Sequence, residues 1–128
     1  MAPRIPVHVV TGAPESGAFI ERMCAVKADW AGLVQRAPSL PAANVRAVQS
    51  GCPCCTGRVV MQILLARLLR ETGAKRAFVE LPDAGHAITF ARVLAEPPLG
   101  QAVAASRQIS LPEDDRLTPE DLESSQVS

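Results

Sequence analysis

An α/β fold with a mostly parallel sheet is what this sequence predicts, on three observations. Strand-like runs rich in β-branched residues alternate with segments of helical periodicity from Ile5 to Leu111. The chain is 48% apolar but only 3% aromatic, so its core must be built from Ala, Val, Leu and Ile. Its first apolar run, "IPVHVV", leads straight into a glycine-bounded loop, "TGAPESG".

The elements follow in order. Ile5–Val10 reads as a buried strand. "AFIERMCAVK" reads as a short helix, with Ala18, Phe19, Met23 and Val26 able to share a face. "DWAGLV" is a second strand, the proline-containing "RAPSLPAAN" a loop, and Val45–Ser50 a strand delivering a run of cysteines. The period then changes. Val59, Val60, Ile63, Leu64, Leu68 and Leu69 recur at helical spacing, with Thr56 placed to cap the helix and Gly73 to stop it. "RAFVEL" is a further buried strand ending near Glu80, "PDAG" breaks it, and His86–Leu94 forms a helix. "QAVAASRQISL" is expected to be a final edge strand. Residues 1–111 form the expected domain; residues 112–128, rich in proline and acid, are expected to be a disordered tail.

Composition excludes several function classes. A chain of 128 residues can bury a core as one domain. Its net charge is zero, but Glu113, Asp114, Asp115, Glu120, Asp121 and Glu123 face only Arg116 in the tail, leaving the body mildly basic. Those basic residues are scattered and aromatics are few, which argues against nucleic acid as a partner. No signal peptide and no membrane-spanning run is visible, so a cytoplasmic location is expected. Thiols stay reduced there.

Two stretches carry chemistry. A phosphate-binding loop needs spaced glycines, a Lys for the phosphate charge and a Ser or Thr for magnesium. Gly12 and Gly17 have the G-x-x-x-x-G spacing, but Ala18 and Phe19 occupy the next two positions and Glu15 adds a negative charge. Taken alone, this segment reads better as an ordinary strand–loop–helix turn. The second stretch is "SGCPCCTGR". Cys52 and Cys55 are spaced C-x-x-C, Cys52 and Cys54 C-x-C, and Gly51 and Gly57 permit the curl that three thiolates on one soft metal ion require. A redox couple ahead of a helix, or three small buried hydrophobes, are the other readings. Glu80, Asp83 and His86 follow a strand end, where ligand sites of open α/β sheets lie. His8, on a buried strand, and Cys24, on a helix without a motif, are expected to be core.

Taken together, "DWAGLV", "VQSGCPCCTGR", the helix after it and "RAFVELPDAGHA" resemble the front of the CobW-type family of P-loop GTPases, regarded as metallochaperones for zinc, cobalt and related metals. Gly51-Cys52-Pro53-Cys54-Cys55 matches the family's G-C-x-C-C signature in full. The resemblance covers about residues 5–95 and implies a truncated P-loop NTPase-like, three-layer domain. It also implies metal ligands at Cys52, Cys54 and Cys55, with Glu80 and His86 as further candidates and a client metalloprotein or partner subunit to receive the metal. The departures are as specific as the match. The family's phosphate-loop Lys and Thr fall on Ala18 and Phe19, its Asn-Glu after the second strand on Gln35-Arg36, and its E-x-x-G glycine on Asp83. No guanine-specificity segment is present. A degenerate phosphate loop at Gly12 and Gly17 is therefore expected, with zinc or another thiophilic divalent ion as cofactor and no GTPase activity; GTP and magnesium are not expected. The alternatives are a GTP-binding protein completed by a partner, and a non-catalytic interaction module.

Overall fold

The computed structural model describes residues 4–12, 15–35, 43–47, 58–82, 84–96 and 99–124. Strand β1 (Ile5–Thr11) leads to helix α1 (Glu15–Val26), then strands β2 (Trp30–Val34) and β3 (Val45–Ala47). Helix α2 (Arg58–Thr72), strand β4 (Arg76–Glu80), a 3-10 turn (Ala84–His86) and helix α3 (Ala87–Ala95) follow. Short strands β5 (Val103–Ala105) and β6 (Ile109–Ser110) and helix α4 (Pro119–Ser124) complete the order.

All pairings are parallel, in the order β3-β2-β4-β1-β5, with β6 also pairing with β1. The fold class is therefore the α/β, mostly parallel sheet the sequence predicts, flanked by helices as in a P-loop-like three-layer domain. Because side chains alternate along a strand, the central strands β1, β2 and β4 feed two cores. Val7, Val9, Ala31, Leu33, Ala77 and Val79 pack with the α2 and α3 side chains. Val10, Trp30, Val34 and Phe78 pack with Phe19, Ile20, Met23 and Cys24 of α1.

Strand β4 lies between β1 and β2, in register Val10↔Glu80 and Leu33↔Val79. The loop after β1 and the end of β4 thus meet at the C-terminal edge of the sheet. Gly73 ends α2 as expected: its φ is +64° and its N–H donates to the Leu69 carbonyl over 2.9 Å.

Four expectations are corrected. The buried face of α1 is Ser16, Phe19, Ile20, Met23 and Cys24, whereas Ala18 and Val26 are exposed. Partners on the sheet set this rotation. A Cβ on Gly32 would lie 2.3 Å from Ile20 Cγ2, so the missing side chain lets α1 settle with Ile20 against the strand. On α2, Ile63 is 52% exposed, because Met61, Leu65 and Leu68 define the inward stripe and Ile63 lies about 200° around the helix from Met61. The final edge strand is split in two, β5 beside Ile5–Val7 and β6 beside Val10 and Thr11.

The fourth correction concerns the tail. Residues 111–124 form a turn and α4 rather than disordered chain, and Leu122 is fully buried in the core that holds Phe78 and Trp30. Local signals support that helix. Asp121 Oδ2 accepts from the backbone N–H of Thr118 (2.9 Å), and Thr118 Oγ1 accepts from that of Asp121 (3.2 Å), a reciprocal cap with Pro119 at the first helical position. Lys27 Nζ adds an ion pair to Glu123 at 2.5 Å.

Candidate functional site

At the C-terminal edge of the sheet the chain concentrates its polar residues on Glu80. As the last residue of β4, Glu80 points to the α1 face and is buried. Its Oε2 accepts from the Ser16 hydroxyl in the first turn of α1. Its Oε1 accepts from the backbone N–H of Gln35 (2.8 Å), and the Gln35 amide returns a bond to the Glu80 carbonyl (2.9 Å). Glu80 therefore ties together the ends of β4 and β2 and the start of α1. A buried carboxylate has to find such donors. Its place beside the first helical turn is also favoured by the macrodipole.

The glycine loop is shaped by its neighbours. Gly12 has φ +106°, and a Cβ there would lie 2.2 Å from the Leu111 carbonyl oxygen. The Leu111 N–H donates to the Thr11 carbonyl (2.9 Å), so the turn after β6 closes against the loop. Gly17 lies over Glu80, with a notional Cβ 3.5 Å from Oε1. Glu15 is exposed at the start of α1.

The two positions after Gly17 offer neither a cation nor a hydroxyl. Where the magnesium-binding hydroxyl would stand, Phe19 is 1% exposed and packed edge-on to Phe78, with ring centroids 6.4 Å apart. Ala18 faces solvent and carries no cation, and the Ser16 hydroxyl is spent on Glu80.

Cys52, Cys54 and Cys55 lie outside the described residues, as do Thr56 and Asp83. The described elements on either side of the cysteine run are β3, ending at Ala47, and α2, beginning at Arg58. Glu80 and His86 fall at the same edge of the sheet, Glu80 buried and His86 half-buried in the 3-10 turn. Among the described residues no three His, Cys, Asp or Glu side chains form a group able to hold a metal. Cys24, read as packing, is buried in the core and free, and burial pushes its thiol up to about 12.

His8, also read as core, is fully buried and stacks on Phe78. Sequence reasoning missed its partner. Arg76, opening β4, donates from Nη1 to His8 Nε2 (2.7 Å), and His8 Nδ1–H donates to the Arg107 carbonyl (2.7 Å). A carbonyl can only accept and a guanidinium can only donate, so these two bonds fix a neutral imidazole protonated at Nδ1. The available signal was Arg76 at the head of the apolar run "RAFVEL", two residues before Phe78 and so on its face. Ser16 and Gln35 gave no comparable signal.

No protein-family model, curated protein or solved structure matches this chain. Among the described residues no helix is long and apolar enough to cross a membrane.

Proposed function

We propose that this chain is a metal-binding domain organised like the CobW-type GTPases but without GTP hydrolysis, in which Cys52, Cys54 and Cys55 hold a thiophilic divalent ion, zinc before others. The observation that carries this reading is the combination of an intact G-C-x-C-C run, between a strand and a helix of a parallel α/β domain, with a phosphate loop whose hydroxyl position is a core phenylalanine. Three closely spaced thiols suit zinc, which takes four N, S or O ligands in tetrahedral array. Both Glu80 carboxylate oxygens already accept hydrogen bonds, so water or a client ligand is a better fourth donor than Glu80, and His86 is the further candidate at the same edge. Metal uptake releases the thiol protons, and transfer to a cytoplasmic client metalloprotein proceeds by exchange of one thiolate ligand for another. No nucleotide gates that exchange.

Zinc titration in competition with a chromophoric chelator at neutral pH tests the reading. The wild type is expected to compete, and the Cys52→Ser/Cys54→Ser/Cys55→Ser variant, which keeps the buried Cys24, is expected to lose that competition. Equal zinc affinity in the two proteins refutes the site. Calorimetry with GTP and magnesium is expected to show no binding; a micromolar Kd would overturn the reading of Ala18 and Phe19.

A further inference from the structure

At the opposite, N-terminal edge of the sheet, Lys27, Asp29, Trp30, Lys75, Arg76 and Glu123 line a cavity of about 260 Å³. Arg76 is its one buried charged member, only 8% exposed. Its guanidinium carbon lies 5.4 Å from the centroid of the Trp30 ring, and one N–H goes to His8. Both partners are uncharged, since His8 is held as the neutral tautomer. Among the described residues no carboxylate stands within ion-pair distance of Arg76. No buried side-chain nitrogen among them lacks a partner either, so the guanidinium N–H groups that His8 does not use open onto the cavity.

The electrostatics of this cavity are unbalanced. Burial works against the Arg76 charge, and the compensation comes from Glu123 at longer range. Glu123 itself is engaged by Lys27. Lys75, exposed at the rim, adds a third cation, and the exposed Asp29 opposes it; solvent screens both.

We propose that this cavity binds a small free oxyanion of the phosphate class, seated on the Arg76 guanidinium, with Lys75 and Lys27 around it and Trp30 as its apolar wall. A guanidinium presents paired donors that match two oxygens of such an anion. Three cations against the two carboxylates of Asp29 and Glu123 leave the lining with a net positive charge, which favours an anion. The cavity falls below the usual size of drug-like pockets, which restricts the ligand to inorganic phosphate or a short phosphomonoester. Glu123 is the internal competitor, because its carboxylate takes up Lys27.

Trp30 is the chain's only tryptophan, so its fluorescence reports on the cavity directly. Titration of the whole chain with inorganic phosphate at fixed ionic strength is expected to give a saturable change that chloride and acetate do not give. Lys75→Gln should weaken binding about threefold, as loss of an exposed charge does. Arg76→Gln should weaken it about tenfold or more, as loss of a charge-assisted bond does. Glu123→Gln, which frees Lys27, should tighten it about threefold. If Arg76→Gln does not fold, Lys75→Gln and Glu123→Gln decide, since both lie on exposed side chains. The proposal is overturned by the absence of a saturable response, by an equal response to chloride, or by unchanged affinity in both surface variants. A response only to vesicles carrying an anionic phospholipid, with none to free phosphate, overturns it as well.

Discussion

His8 is held neutral between a carbonyl and a guanidinium, and lowering the pH forces a second proton onto it. Protonation puts an N–H at Nε2, facing the Arg76 N–H that now donates there, and sets an imidazolium against a guanidinium whose nearest nitrogens are 2.7 Å apart. Burial is the largest cause of its depressed pKa; the Arg107 carbonyl works the other way, and the charges of Arg76 and Arg107 add to the depression. The ring is lowered from 6.5 to about 4. In the unfolded chain His8 takes up its proton near pH 6.5, whereas the folded protein resists until about pH 4, so the unfolded state binds more protons between these values. Stability is therefore full above pH 6.5 and falls as the pH drops towards 4. Linkage gives about 2 kcal/mol lost by pH 5 and about 3 kcal/mol by pH 4 from this one group.

Urea unfolding followed by Trp30 emission, in steps from pH 7.5 to pH 5, measures this loss. The control is His8→Gln, whose amide accepts from Arg76 but does not titrate. The variant is expected to be less stable at pH 7.5 and to show a flatter pH dependence, by about 2 kcal/mol over that range. Parallel curves for the two proteins would falsify the assignment of a buried neutral imidazole.

Two further substitutions test the packing around the site. Leu122→Ala removes a fully buried side chain from α4 and should cost about 2–3 kcal/mol, read as a lower urea midpoint; a change within about 0.5 kcal/mol would show that α4 is not part of the core. Gly12→Ala should lose more than about 2 kcal/mol in the same assay, because its Cβ meets a backbone carbonyl and its φ is +106°. A neutral Gly12→Ala would mean that the turn after β6 does not close on the loop.

The alternation of strand-like and helical runs was enough to place β1, β2, β4, α1, α2 and α3, because each run carries its own period. The end of α2 was legible too, since Gly73 tolerates the positive φ that closes the helix. The tail was misread through its composition. Six acidic residues suggested solvation, yet "TPEDL" contains a helix cap, a favourable first residue and the single leucine that anchors α4. Composition averages over a segment, whereas one buried Leu122 and one reciprocal cap act at particular residues.

The candidate site divides in the same way. Glu80 was legible as the residue ending a buried strand, but its partners were not. Ser16 lies 64 residues away from it and Gln35 lies 45 away, and only the strand order β2-β4-β1 brings the three together.

The sequence alone determined the residue chemistry: three thiols in G-C-x-C-C, no cation at Ala18, no hydroxyl at Phe19, and strands that take turns with helices. These are properties of residue type and short spacing, and folding does not alter them. Only the tertiary structure decided that Phe19 is core, that His8 and Arg76 share a buried bond, and that α4 sets Glu123 beside Lys27 at the far edge of the sheet. Each of those depends on which strands become neighbours and on how α1 rotates against Gly32. Pairings over such sequence separations are fixed by packing in three dimensions and leave no local period to read.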